Sequence, residues 1–297
     1  EFADQRWLRA YGSFGSPNSL GIYLAVLFVL GLVLYLKTNS AKIKIFMSAG
    51  QLVILSGLLV SFSRGAWLAA AVGVVVLFVI IFFKHRRHQS LSPLLGERQR
   101  EGYSVDNDTR TNTPPLAPPL KGEGDVKDFA KQIIFALAVV IFWLAIFYPV
   151  FTARFNLSNR LEAKSISERK GQYSETLSFI KTNPIFGIGP GAHTYALYKK
   201  YPALPAWQYQ PIHNIYLLAL VEIGLAGFIF LFFLFKHLFV MIIKNNLFYT
   251  PVVAILIFAG LFDHWLISMY TGLLFWWVII GLGLCGINEG VLATPKP

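Results

Sequence analysis

Seven continuous apolar runs dominate the chain, at 19–36, 43–62, 65–83, 131–150, 214–235, 250–269 and 271–287. A hydrocarbon layer about 30 Å thick is crossed by about 20 residues of helix. Each run is long enough, or nearly so, to cross a bilayer. Membrane β-strands would show alternating segments of about 10 residues, and these runs do not alternate. The expected fold class is an all-α membrane protein: a polytopic transmembrane helical bundle of about seven spans. Charged residues make up only 14% of the chain, against about 25% in a soluble domain. That composition excludes a disordered or fibrous chain and most soluble enzymes. The net charge of +11 would fit a nucleic-acid binder in a soluble protein. Here most basic residues flank apolar runs, so the expected partners are membrane lipids, with no nucleic acid. The one cysteine, Cys285, excludes a disulfide framework and a cysteine-based zinc site.

Lysine and arginine in the connections orient the bundle. Lys37, Lys42 and Lys44 lie between the first two runs, Lys84, Arg86 and Arg87 follow the third, and Lys236 and Lys244 lie between the fifth and sixth. Connections rich in these residues face the cytoplasm. The opposite side then holds the N-terminal segment, the Ser61–Arg64 turn and a large loop at 151–212. The chain divides into a region with three spans (1–88), an insertion (89–128), a fourth span (129–150), the outer loop (151–212), and the last three spans with a tail (213–297). The insertion is rich in Pro, Gly and charge and repeats itself, Ser92-Pro93-Leu94-Leu95-Gly96-Glu97 echoing Pro118-Pro119-Leu120-Lys121-Gly122-Glu123. It is expected to be a disordered cytoplasmic linker, with a proline-rich docking site as the alternative. The chain starts at Glu1 and enters its first apolar run almost at once. It reads as a fragment or a processed chain that begins partway through a larger membrane protein, with a complete protein whose start is misassigned as the alternative.

The outer loop carries most of the chemistry-bearing residues. Arg154, Arg160 and Arg169 can each hold phosphate oxygens through the planar guanidinium fork. The alternative is contact with lipid headgroups or a nearby carboxylate. Around Arg169, the spacing of Tyr173, Leu177 and Ile180 predicts a short amphipathic helix on the membrane surface. Gly187-x-Gly189-x-Gly191 has the look of a phosphate loop, but as it neither follows a buried strand nor precedes Gly-Lys-Ser/Thr it reads first as a tight turn that needs positive φ. His213 with Asn214 opens the fifth span, where an imidazole could take a proton from a hydroxyl or simply cap a helix. Arg64 sits at an outer turn, where an arginine needs a partner or must reach the interface. Tyr195, Tyr198, Tyr201, Trp207 and Tyr209 could stack on sugar rings or form an interfacial belt. Glu222, Asp263 and His264 fall inside apolar runs, as structural partners of an arginine or as parts of a proton path. No metal-ligand spacing surrounds His193, His213 or His264, so neither a metal nor another cofactor is expected.

Taken in order, five pieces resemble the O-antigen ligase and polymerase family of bacterial membrane glycosyltransferases. They are Gly12-Ser13-Phe14-Gly15-Ser16-Pro17-Asn18, Ser63-Arg64-Gly65-Ala66-Trp67, Arg169, Asn183 through Gly191, and His213-Asn214-Ile215-Tyr216-Leu217 with Glu222-Ile223-Gly224-Leu225. The resemblance implies a GT-C-like helical fold in the bacterial inner membrane and a periplasmic site. The implied donor is an undecaprenyl-pyrophosphate-linked glycan, and the implied acceptor is lipid A-core, a glycan or a protein hydroxyl. It implies catalytic roles for Arg64, Arg169 and His213. Arg154, Arg160, Gly187, Gly189, Gly191, Asn214, Tyr195 and Trp207 are the expected substrate contacts. Family members carry several more N-terminal spans, so this piece is expected to be inactive alone. A polymerase or a protein O-oligosaccharyltransferase of the same fold stays open. So does a different class, a transporter or flippase of lipid-linked sugars, which Glu222 and Asp263 would serve, and a non-catalytic scaffold.

Overall fold

The computed structural model describes the backbone of residues 9–101, 121–155 and 160–285; the side chains of 87–101, 121–124, 153–155, 160–165 and Trp207 fall outside that description. Described residues are helical or in turns. Helices α1 (Pro17–Lys37), α2 (Ala41–Val60) and α3 (Arg64–Glu101) come first, then α4 (Lys121–Ile146) and α8 (Ile215–Asn245) among the long apolar ones. Between the last two lie α5 (Tyr148–Phe155), α6 (Arg160–Thr182) and α7 (His193–Lys200). The chain continues through α9 (Thr250–Ala259), α10 (Trp265–Ser268) and α11 (Tyr270–Cys285). Five helices are long and apolar enough to cross a membrane, and Leu247–Ala259 and Tyr270–Cys285 are shorter apolar helices. The protein is thus a polytopic helical membrane protein.

Helix α1 is the centre of the bundle. Ile22, Val26, Val29, Leu32 and Val33 are buried at spacings of three and four, a stripe that meets α2, α3 and α9. In hydrocarbon such a stripe gains mainly from close packing, because no water is displaced. Helices α2, α4 and α8 turn apolar side chains outward instead, among them Phe46, Ile134 and Phe230, each more than 65% exposed. These are lipid-facing surfaces.

Three expectations change. The run at 250–269 is not one span. Gly260 ends α9, its carbonyl accepts from Ile215 N at 2.8 Å, and Asp263 Oδ1 accepts from the His264 and Trp265 amides at 2.7 and 3.2 Å. Two polar residues in an apolar run thus make a turn, and the chain re-enters as α10 and α11. The segment 89–128 is not wholly irregular either. Helix α3 extends to Glu101 and α4 begins at Lys121, while 102–120 lie outside the described residues. Asp125 pairs with Lys84 at 3.1 Å and Asp128 pairs with Lys44, which fastens the start of α4 to α3 and α2. Finally, the helix around Arg169 is 23 residues long rather than short.

The same contacts define one end of the bundle. Lys37 Nζ reaches Asn246 Oδ1 at 3.5 Å, and Lys84 Nζ lies 5.0 Å over the Phe248 ring. The α1–α2 and α8–α9 connections, the α3 segment at Lys84 and the α4 segment at Asp125–Asp128 therefore meet there. The other end carries Arg9, Arg64, Arg169 and His213.

Candidate active site

Three helices start at this second end. Ser16 Oγ caps α1 by accepting from Ser19 N at 3.1 Å. Asn214 Oδ1 caps α8 by accepting from Tyr216 N and Leu217 N, both at 3.0 Å. Helix α3 starts at Arg64, directly after buried Ser63. Helix starts carry unpaired N–H groups and partial positive charge, which favours anions. Between them lies a cavity of about 540 Å³ whose walls include Arg9, Asn18, Arg64, Gly65, Arg169 and His213, together with Glu168, Gln172, Gln210 and Asp263. Segments far apart in the chain (the stretch before α1, the α2–α3 turn, α6, the entry to α8 and the α9–α10 turn) each supply a wall.

One of these cations, Arg9, has its orientation fixed by hydrogen bonds. Arg9 donates Nε to the Ser61 carbonyl and Nη2 to Asn18 Oδ1, both at 2.9 Å. Asn18 Oδ1 accepts from Ser63 Oγ as well, at 3.0 Å. Arg169 sits on α6 with Gln172 and Thr176, at spacings of three and four that place all three on one face. Thr176 Oγ1 lies 3.1 Å from Nε2 of buried His193, so this face is docked against α7. Burial, with His264 adding to it, pushes His193 down to about 4 and keeps it neutral.

His213 Nδ1 lies 3.0 Å from Gln172 Oε1. An amide oxygen only accepts, so this contact assigns the proton to Nδ1 and leaves a lone pair on Nε2. The ring packs edge-on against His264 at 5.1 Å. Burial lowers the His213 pKa, Asp263 and Glu168 oppose the shift, and His264 and Arg169 add to it. The net direction is down, so the imidazole is neutral near pH 7. Asp263, which the sequence places inside a span, is buried in the cavity wall.

The remaining candidates whose side chains are described do not line this cavity. Gly187–Gly191 forms a turn against a break in α8, away from the cavity walls. At the break Gly224 has φ 65° and ψ −174°. Ile188 N and Gly189 N donate to the Val221 and Glu222 carbonyls, and Leu225 N and Ala226 N donate to the Pro184 and Ile185 carbonyls. Two of the loop amides that could have cradled a phosphate are thereby occupied. At Gly187 a Cβ would lie 2.5 Å from the Glu222 carbonyl, so the approach demands glycine. Asn214 is spent on capping α8. Tyr195 is exposed on α7 with Lys199 Nζ 4.8 Å over its ring, and Tyr209 donates its hydroxyl to the Tyr201 carbonyl at 2.6 Å. The side chains of Arg154, Arg160 and Trp207 are outside the described residues; their backbones lie in α5, at the start of α6 and in the Ala206–Gln208 turn. Among the described residues no cluster of three His, Cys, Asp or Glu side chains could hold a metal ion. Arg9, Gln172 and Gln210 line the cavity without having been singled out by sequence. The spacing of Gln172 from Arg169 is the one signal that could have found any of them.

A membrane-embedded helical bundle with an arginine-lined polar cavity at one end is the class that fold and site define. A family model for O-antigen ligase matches residues 49–232, and the chain belongs to that family, whose members carry out lipid-linked glycan transfer. The matched stretch holds Arg64, Arg169 and His213, while Arg9, Asn18 and Asp263 lie outside it. No curated protein matches the chain, and no solved structure does.

Proposed function

We propose that the protein transfers a glycan from undecaprenyl pyrophosphate to an acceptor hydroxyl at the periplasmic face of the inner membrane, as an O-antigen ligase does. The observation that carries this reading is the single cavity that joins Arg64, Arg169 and His213. The acceptor oxygen attacks the anomeric carbon, and its proton passes to His213 Nε2. The bond from that carbon to the pyrophosphate oxygen breaks, and the leaving group departs with the electron pair. Arg64 and Arg169 hold the phosphate oxygens and stabilise the charge that grows there, an effect strongest in a site shielded from water. The helix starts of α1, α3 and α8 add partial positive charge on the same side. Displacement in one step inverts the configuration at carbon. Exposed Tyr195 offers a flat face to a sugar ring outside the cavity. The orientation follows from the lysine-rich opposite end, which is the side the cytoplasm favours.

The test is glycan transfer in membranes that contain the protein with any native upstream spans. Arg64→Ala, Arg169→Ala and His213→Ala should each remove transfer at unchanged protein level. Retained transfer in all three would refute the proposal. Build-up of unligated polymer after deletion of the gene would support a ligase, and build-up of single repeat units would mean a polymerase.

A further inference from the structure

We propose that the loop tip Ile185-Phe186 is inserted into the lipid bilayer at the arginine end and fastens the arginine-bearing helix α6 to the membrane; this stands apart from the donor reading above. The first observation is a mismatch of length. Helix α8 has 31 residues and would rise about 46 Å if straight, against a hydrocarbon layer of about 30 Å. Its two ends nevertheless lie at the two ends of the bundle. Ile215 N donates to the Gly260 carbonyl beside the cavity, and Asn246, directly after α8, accepts from Lys37. Helix α1 covers the same distance, from the cavity to Lys37, with 21 residues, a rise of about 31 Å. The excess in α8 is absorbed at the Gly224 break. From Leu225 to Asn245 alone α8 rises about 31 Å, so the break lies at the arginine-end edge of the hydrocarbon.

The loop that follows α6 is built into that break. In an unbroken helix the amides of Leu225 and Ala226 would donate to the carbonyls of Val221 and Glu222. Here those carbonyls accept from Ile188 N and Gly189 N, both at 2.9 Å, and those amides donate to the Pro184 and Ile185 carbonyls at 2.9 and 3.0 Å. The loop thus replaces two rungs of the helix, and polar backbone groups of loop and helix satisfy each other, as the edge of a hydrocarbon layer requires. The side chains of the loop then divide. Ile188 packs inward against the cluster of Ile212, Leu218 and Val221. Ile185 and Phe186 are 58% and 79% exposed. The helix residue bonded beside them, Leu225, begins an exposed stripe that continues through Ile229 and Phe233 at spacings of four. Ile185 and Phe186 therefore extend the lipid-facing surface of α8 past its break. Lipid is the occupant that matches two large apolar side chains continuous with such a surface. Helix α6 ends at Thr182, just before this tip, so the anchor sets the height of the helix that carries Arg169 and Gln172.

The experiment places a nitroxide label at Ile185→Cys or Phe186→Cys in the purified full chain in lipid nanodiscs, with Cys285→Ser removing the exposed native thiol. Power saturation then compares collisions with oxygen, which concentrates in hydrocarbon, and with nickel-EDDA, which stays in water. Phe233→Cys on α8 gives the lipid reference, and Lys199→Cys, exposed on α7, gives the water reference. Labels at 185 and 186 should resemble the lipid reference and read a depth of about 5–10 Å into the boundary of headgroups and acyl chains. Labels at both positions that behave like Lys199→Cys would overturn the proposal. Should one cysteine variant not assemble, the other decides, together with a readout that needs no label. Phe186→Asp sets a charge against lipid, so hydrogen exchange at the Ile188 and Gly189 amides should speed up by about tenfold or more. Phe186→Leu, which stays apolar, should leave that exchange within about twofold. Exchange unchanged in Phe186→Asp would mean that the tip lies in water, and would overturn the anchor.

Discussion

The two ends of the bundle use their cations differently. At the lysine end, Lys44 and Lys84 meet Asp128 and Asp125, and Lys84 also covers the Phe248 ring. Those contacts join helices. At the arginine end, Arg9, Arg64 and Arg169 surround a hollow of about 540 Å³ at the starts of three helices. Lysine is a point charge on a flexible stem and suits a solvated or interfacial pair; arginine is a fork that suits an oxyanion. Under the proposed function, the same sign of charge serves assembly at one end and recognition at the other.

Substitutions at the two ends should therefore differ by orders of magnitude. His213→Ala should lower transfer by roughly 10²–10⁴, the usual contribution of a positioned acid or base. A loss under tenfold, measured in membranes with protein level checked by immunoblot, would remove the base role. The low His213 pKa gives a sign as well. The base form persists as pH falls, so the acid limb of the transfer rate should lie below the ordinary histidine value of about 6.5. A limb at or above 6.5 would show that His213 does not control the rate.

Next in size is the pH response of the docked α6–α7 face. His193 is neutral in the folded chain and titrates near 4, whereas an unfolded chain takes up its proton near 6.5. Protons therefore favour unfolding between these values. Stability should be full above pH 6.5 and should fall by about 3 kcal/mol as pH drops to 4. Thermal unfolding in detergent should show this drop for the original protein and a smaller one for His193→Gln.

Gly224→Ala comes third. Its backbone region admits little but glycine, at a cost of about 1–3 kcal/mol for other residues. An added Cβ would also lie 2.3 Å from the Ile185 carbonyl oxygen. The 184–189 loop should come away from α8, and hydrogen exchange at the Ile188 and Gly189 amides should speed up. Unchanged exchange would mean that the loop is held by something else. Smallest is Lys84→Ala at the lysine end. A part-exposed pair contributes about 0–1 kcal/mol, so transfer should stay within twofold. A large loss there would erase the contrast between the two ends.

The helical bundle was legible in the sequence because hydrocarbon requires long, nearly unbroken apolar runs. The break at Gly260–His264 was not, since two polar residues barely interrupt the run and a tertiary contact, Ile215 N to the Gly260 carbonyl, helps to fix the turn. Arg64, Arg169 and His213 stood out by type and order. Their meeting in one cavity depends on how α3, α6 and α8 are placed, which no local pattern encodes. The Gly187-x-Gly189-x-Gly191 pattern was visible, but its setting depends on the positive φ of Gly224, far along the chain. Arg9 escaped notice because a lone arginine in a short polar stretch carries no pattern at all.

The central claim, that the arginine end binds a phosphate-linked donor, is tested most directly by Arg169→Lys in the membrane transfer assay. Charge is kept and the fork is lost. Arg169→Lys should fail almost as badly as Arg169→Ala at equal protein level. Near-normal transfer by Arg169→Lys would contradict it and leave Arg169 as a generic cation at the membrane surface.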